Sequence, residues 1–154
     1  MHNRFIELVS AWLAEAGIEA PVVPSEDVVT VPLGDFSFSI ALLKSRKAVV
    51  FQAVAGVVPQ QGREAFYAEL LKKNSLFAGT KGAALGLDED AVTVQSFVSM
   101  EDLSDAYFSA QAMAFLESLA DVVEEMPAMM ERASSARGAS DQEDPLFMPN
   151  MIRI

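Results

Sequence analysis

Apolar positions recur at helical spacing at the start of the chain, where Phe5, Leu8, Val9, Trp12, Leu13 and Ala16 share one face. Asn3 is placed to cap this helix and Gly17 to stop it. Pro21 and Pro24 predict an extended linker after it. Val28-Val29-Thr30-Val31 is β-branched and predicts a strand ending near Pro32, and Gly34-Asp35 suits a two-residue hairpin turn. The next strand alternates, with Phe36, Phe38, Ile40 and Leu42 on one face and Ser37, Ser39 and Ala41 on the other. Lys44-Ser45-Arg46-Lys47 reads as a solvated turn. A third strand follows over residues 48–58, apolar on both faces, with Gly56 a candidate bulge.

Pro59-Gln60-Gln61-Gly62 breaks this run, and the pattern from Arg63 to about Leu76 predicts a helix. Phe66, Leu70 and Phe77 form its stripe, with Tyr67 and Leu71 beside it. Gly79-Thr80-Lys81-Gly82 is a loop, and residues 83–87 and 92–100 predict a second hairpin around Asp88-Glu89-Asp90. Asp102 or Ser104 caps a long third helix whose core stripe is Phe108, Phe115, Leu119, Val122 and Met126. Pro127 is expected to kink or fray it, because proline removes a backbone donor and clashes with the preceding turn. The result is an α+β domain of order α-β-β-β-α-β-β-α, with one twisted antiparallel sheet packed against helices. It spans residues 1–132, followed by a polar linker over 133–145 and an apolar tail over 146–154.

Composition narrows the function. The chain has 154 residues, 51% of them apolar, yet carries a net charge of −11. Most of that charge falls in the second half: residues 78–154 hold 14 acidic and 4 basic groups. Such a balance argues against nucleic acid, which needs basic patches. No apolar run is long enough to span a membrane, and the N-terminus lacks a signal-peptide pattern, so a cytoplasmic location is expected. The apolar surplus instead suggests a dimer interface or a partner groove.

Candidate chemistry is sparse. Cysteine is absent and His2 is the only histidine, which excludes thiolate sites and any internal Ser-His-Asp arrangement. Asp88-Glu89-Asp90 lacks the further oxygen ligands of a calcium loop. Gly79-Thr80-Lys81-Gly82 lacks phosphate-loop spacing. Glu124 and Glu125 are helix neighbours that do not face one another. No catalytic residue, metal or cofactor is therefore expected, although a dispersed carboxylate pair is a weak rival reading. Six of the eight methionines lie in the last third of the chain, which suggests an adaptable apolar surface there. Trp12 reads more readily as a core anchor than as a binding platform.

Leu70-Leu71-Lys72-Lys73-Asn74 at a helix end, then Gly82-Ala83-Ala84-Leu85-Gly86-Leu87-Asp88, resembles the class I type III secretion chaperones, the family of the Tir chaperone CesT. The resemblance implies a homodimer that holds the N-terminal segment of a secreted effector protein in extended, non-globular form. It implies a dimer interface on the second helix and neighbouring strand, by position Phe66, Leu70, Phe77, Leu85 and Leu87. It also implies client-binding patches on the first helix and sheet, by position Phe5, Trp12, Phe36, Phe38, Val49 and Phe51, with a client strand added at a sheet edge. A disordered client loses entropy on binding, so broad apolar contact and backbone pairing suit the task. The rival from another class is a regulatory or adaptor domain of the same fold that binds a folded partner.

Overall fold

The computed structural model describes residues 1–19, 27–34, 36–77, 80–101 and 103–140, with side chains described to residue 136. The elements run α1 (His2–Glu15), β1 (Val28–Leu33), β2 (Phe36–Leu43), β3 (Ala48–Val57), α2 (Arg63–Asn74), β4 (Ala84–Asp88), β5 (Ala91–Ser99) and α3 (Asp105–Ser140). All five strands join one antiparallel sheet in the order β1-β2-β3-β5-β4. The expected α+β order is the observed one.

Period-two patterning decides which face of the sheet is covered. Val29 and Val31, Phe38, Ile40 and Leu42, Val49, Phe51 and Ala53, and Val92 and Val94 are all buried on one face. Helix α1 adds Phe5, Leu8, Val9, Trp12 and Leu13, and α3 adds Phe108, Ala112, Phe115 and Leu119. An aromatic cluster sits at the centre. Trp12 meets Phe38 edge-on at 5.8 Å, and Phe51 lies 5.5 Å from Phe108 and 5.7 Å from Phe115. Helix α2 stands to one side, against α3 and β4.

Several local expectations shift. The first helix starts at His2 with Met1 rather than Asn3 as its cap position, and ends where Gly17 takes φ +66°. The β3 bulge falls at Val54/Gly56, where a side chain on Gly56 would press on Met126. Ser104 caps α3, its hydroxyl accepting the Tyr107 amide at 3.2 Å, while Asp102 lies outside the described residues. So do residues 20–26, which include both linker prolines, and Asp35 of the first turn.

Two corrections are larger. Helix α3 continues through Pro127 to Ser140, so residues 133–140 are helical rather than linker. Packing outweighs the lost hydrogen bond: Met126, Met129 and Ala133, on both sides of the proline, are all buried. Met129, on which an adaptable surface was expected, is thus core. The rest of the linker and the apolar tail, residues 141–154, lie outside the described residues. Phe77 also leaves the α2 stripe. The helix ends at Asn74, and Leu76 and Phe77 adopt φ +52° and +54°, which swings both side chains outward.

Candidate partner-binding surfaces

The residues expected to grip a client divide sharply by position. Phe5, Trp12, Phe38, Val49 and Phe51 are all sealed inside the protomer, and only Phe36 offers substantial surface. Of the expected interface set, Phe66, Leu70 and Leu85 belong to the protomer's own core, whereas Phe77 and Leu87 are exposed. The physical reason is the same in both cases. An apolar stripe announces burial, but the chain's own helices take the strongest stripes first. The exposed residues are secondary ones: Leu71 at 70%, Leu76 at 92% and Phe97 at 79% exposure. Leu71 adjoins the α2 stripe, and Leu76 follows the last helical turn; for Phe97 the signal was a large aromatic out of phase with buried Val94 and Val98.

Strand register assembles the uncovered sheet face. Val28 pairs with Ala41, Ala41 with Val50, and Val50 with Phe97, giving one apolar row across four strands. The adjacent row, Thr30, Ser39, Gln52 and Gln95, is polar. A shallow hollow of about 680 Å³ lies over Ala41, Leu43, Val50, Ala84 and Phe97 on this face.

A second groove, of about 370 Å³, runs between the β1–β2 hairpin and α3. Leu33 and Phe36 form one wall, and Leu116, Leu119, Ala120 and Val123 form the other, with Glu124 at the rim. Almost nothing polar lines it.

The two sheet edges differ in kind. On β4, Asn74 donates from Nδ2 to the Leu85 carbonyl at 2.9 Å and accepts the Leu85 amide on Oδ1 at 2.7 Å. A side-chain amide thus occupies the pair of backbone groups that an added strand would need. On β1, Asp27 O accepts the Leu42 amide at 2.7 Å. The alternation of an antiparallel ladder then turns the backbone groups of Val28, Thr30 and Pro32 outward. Pro32 contributes a carbonyl only, so Val28 and Thr30 are the residues able to pair in both directions. This edge opens beside the Leu33–Phe36 groove.

Ion pairs lace the exterior. Lys73 binds Glu125, Arg132 binds Glu69 at 2.9 Å, and together they join α2 to α3. Hydrogen bonding from Arg132 holds the Glu69 carboxyl below its ordinary value. Asp27 is likewise lowered by hydrogen bonds from Lys44 first and His2 second, which tie the start of α1 to the sheet. At the second hairpin turn, Arg63 pairs with Asp90. Among the described residues there is no cluster of three or more His, Cys, Asp or Glu side chains able to hold a metal, and no helix long and apolar enough to cross a membrane.

This geometry, an open five-stranded antiparallel sheet packed against helices with apolar surface left uncovered, defines an α+β class of domain. The Tir chaperone protein (CesT) family model matches residues 7–122, and the chain belongs to that family, the class I type III secretion chaperones. Among solved structures, a chain of the ExsC–ExsE complex is 16% identical, with TM-score 0.65 over 77% of this chain and 90% of that one. A chain of the HopA1–SchA chaperone–effector complex is 17% identical, with TM-score 0.60 over 79% and 95%. YbjN from E. coli is 17% identical, with TM-score 0.57 over 80% and 92%. At these identities the likeness is one of fold. No curated protein sequence matches the chain significantly.

Proposed function

We propose that this protein is a homodimeric cytoplasmic chaperone of a bacterial type III secretion system. It binds an N-terminal segment of a secreted effector in extended form and keeps it soluble and export-competent, by contact alone. Family membership and the solved chaperone–effector complex of the same fold support this reading. The observation that carries it is the pairing of one open edge, β1, with an apolar groove directly beside it. A client strand laid on Val28 and Thr30 sends alternate side chains to opposite faces. One set extends the Val28–Ala41–Val50–Phe97 row; the other enters the groove between Leu33, Phe36 and α3. Leu71, Leu76, Phe77 and Leu87 form the self-association surface on α2 and β4, in place of the buried Leu70 and Phe66.

Thr30→Pro tests the edge. It removes an outward-facing donor while leaving the β1–β2 ladder its bonds, and proline already stands two residues on. With the N-terminal segment of a secreted effector that binds this chain as probe, affinity is expected to fall by roughly tenfold, the worth of one or two backbone bonds. Unchanged affinity would remove β1 from the reading. Amide exchange on the same probe separates the rival adaptor role. A client held as a strand gains protection only where it touches the chaperone, whereas a folded partner is protected throughout before mixing.

A further inference from the structure

The groove against α3 sits at the end of a track. At 100° per residue, Ala120, Val123, Pro127, Met130 and Ser134 all fall within about 40° of Leu116 around the helix. All but Ser134 are apolar. This stripe runs from the groove to the last turns of α3, where the chain goes on into residues 141–154. Those fourteen residues split into an acidic bridge, Asp141-Gln142-Glu143-Asp144-Pro145, and an apolar segment, Leu146-Phe147-Met148-Pro149-Asn150-Met151-Ile152-Arg153-Ile154. The apolar segment has no acidic residue and carries Arg153, which suits the flank of a helix bearing Glu117 and Glu124.

Length matches the track. From Ser140 back to Val123 and Leu116 is about 26 and 36 Å along the helix axis, at 1.5 Å per residue. An extended strand leaving Ser140 reaches Phe147 after about 24 Å and Met151 after about 37 Å. Pro149 biases Met148 away from helical backbone, toward the extended form this path requires. On such a path Phe147, Met148 and Met151 would come level with the stretch of α3 that lines the groove.

We infer that residues 146–154 fold back along α3 in cis and fill the groove between Leu33, Phe36, Leu116 and Val123 as a stand-in for client. The consequence for client binding rests on the reading above, but the contact itself does not. A tail holding the groove nine-tenths of the time would weaken client binding about tenfold, since only the empty fraction is competent.

The natural absence of cysteine supplies the test. In the full-length chain, Ala120→Cys is combined with Asn150→Cys and oxidised; Ala84→Cys on the open sheet face with Asn150→Cys is the control. A disulfide within one chain for the first pair, and none for the second, is the expected result. No disulfide, one only between chains, or equal yields for both pairs overturns the inference. Separately, Phe147→Asp with Met151→Asp in the full chain should raise anilinonaphthalene sulfonate fluorescence about twofold by uncovering the groove; no rise also overturns it. If the cross-link forms and dye binding rises but client affinity stays constant, the tail is docked as inferred and the client uses another surface.

Discussion

Asn74 shows how much one side chain decides. It closes α2 and at the same time hydrogen-bonds both backbone groups of Leu85, locking the helix end to β4. That gives a physical meaning to the Leu-Leu-x-x-Asn spacing: buried Leu70 seats the helix, Leu71 faces outward, and the amide reaches the strand. Asn74→Ala should destabilise by about 1–3 kcal/mol, because a partly buried amide and carbonyl lose their partner. Urea midpoints measure this. Asn74→Asp keeps the acceptor and loses the donor, so it should fall between the two. Gly62 is a sharper case. It takes φ +70°, and a β-carbon there would stand 2.2 Å from the Ala133 carbonyl oxygen. Gly62→Ala should cost several kcal/mol, on the order of 2–4, and melt the α2–α3 junction first. Its sequence context, a Pro-Gln-Gln-Gly break, announced a turn but not the helix pressed against it, which lies about seventy residues away.

At the scale of elements, local signals specified nearly every boundary, because each strand and helix carries its own period. Gly17, Gly34, Gly56 and Pro59 punctuate the chain where the observed elements end or bend. Two features depended on contacts between distant residues and were not legible. Pro127 is overridden by buried methionines on either side, and the burial of Phe66 and Leu70 is set by α3 and β4. The candidate site suffered most. Strong apolar patterning located the core, so the partner surface had to be found in what the core left over, such as Leu71, Leu76 and Phe97. The ion pairs between elements also predict a pH response. Glu69 and Asp27 have lowered pKa values in the folded chain, so their stabilising effect is complete above the ordinary carboxylate range. It is lost as pH falls through the lowered values. Urea midpoints should therefore drop below about pH 4.5, and more shallowly in Glu69→Gln combined with Asp27→Asn. Both groups are part-exposed, so added salt should flatten the wild-type response as well.

For the whole molecule, the self-association proposed above rests on the exposed apolar side chains around α2 and β4. Leu71→Asp combined with Phe77→Asp places charge on surface residues and leaves the core intact, so the variant should stay folded and sediment as a monomer. Leu70→Asp would put an unpaired charge inside the protomer and is expected to unfold it, which makes it a poor probe of association. A folded Leu71/Phe77 variant that still sediments as a dimer would move the interface to the open sheet face, around Phe97 and Val50.

The unequal borders of the sheet have one more effect. A protein that accepts a foreign strand, the role proposed above for β1, runs the hazard of accepting its own kind and growing into fibres. Open-ended stacking requires a vacancy at each side of every copy, and the Asn74 amide fills one of them. Through sheet edges alone, two copies can meet at the remaining border, and a third finds no edge to extend, so strand-on-strand growth halts at a pair. Replacing Asn74 by alanine should accordingly do more than soften the fold: it should let the material creep toward insoluble polymer on standing, visible as rising light scatter.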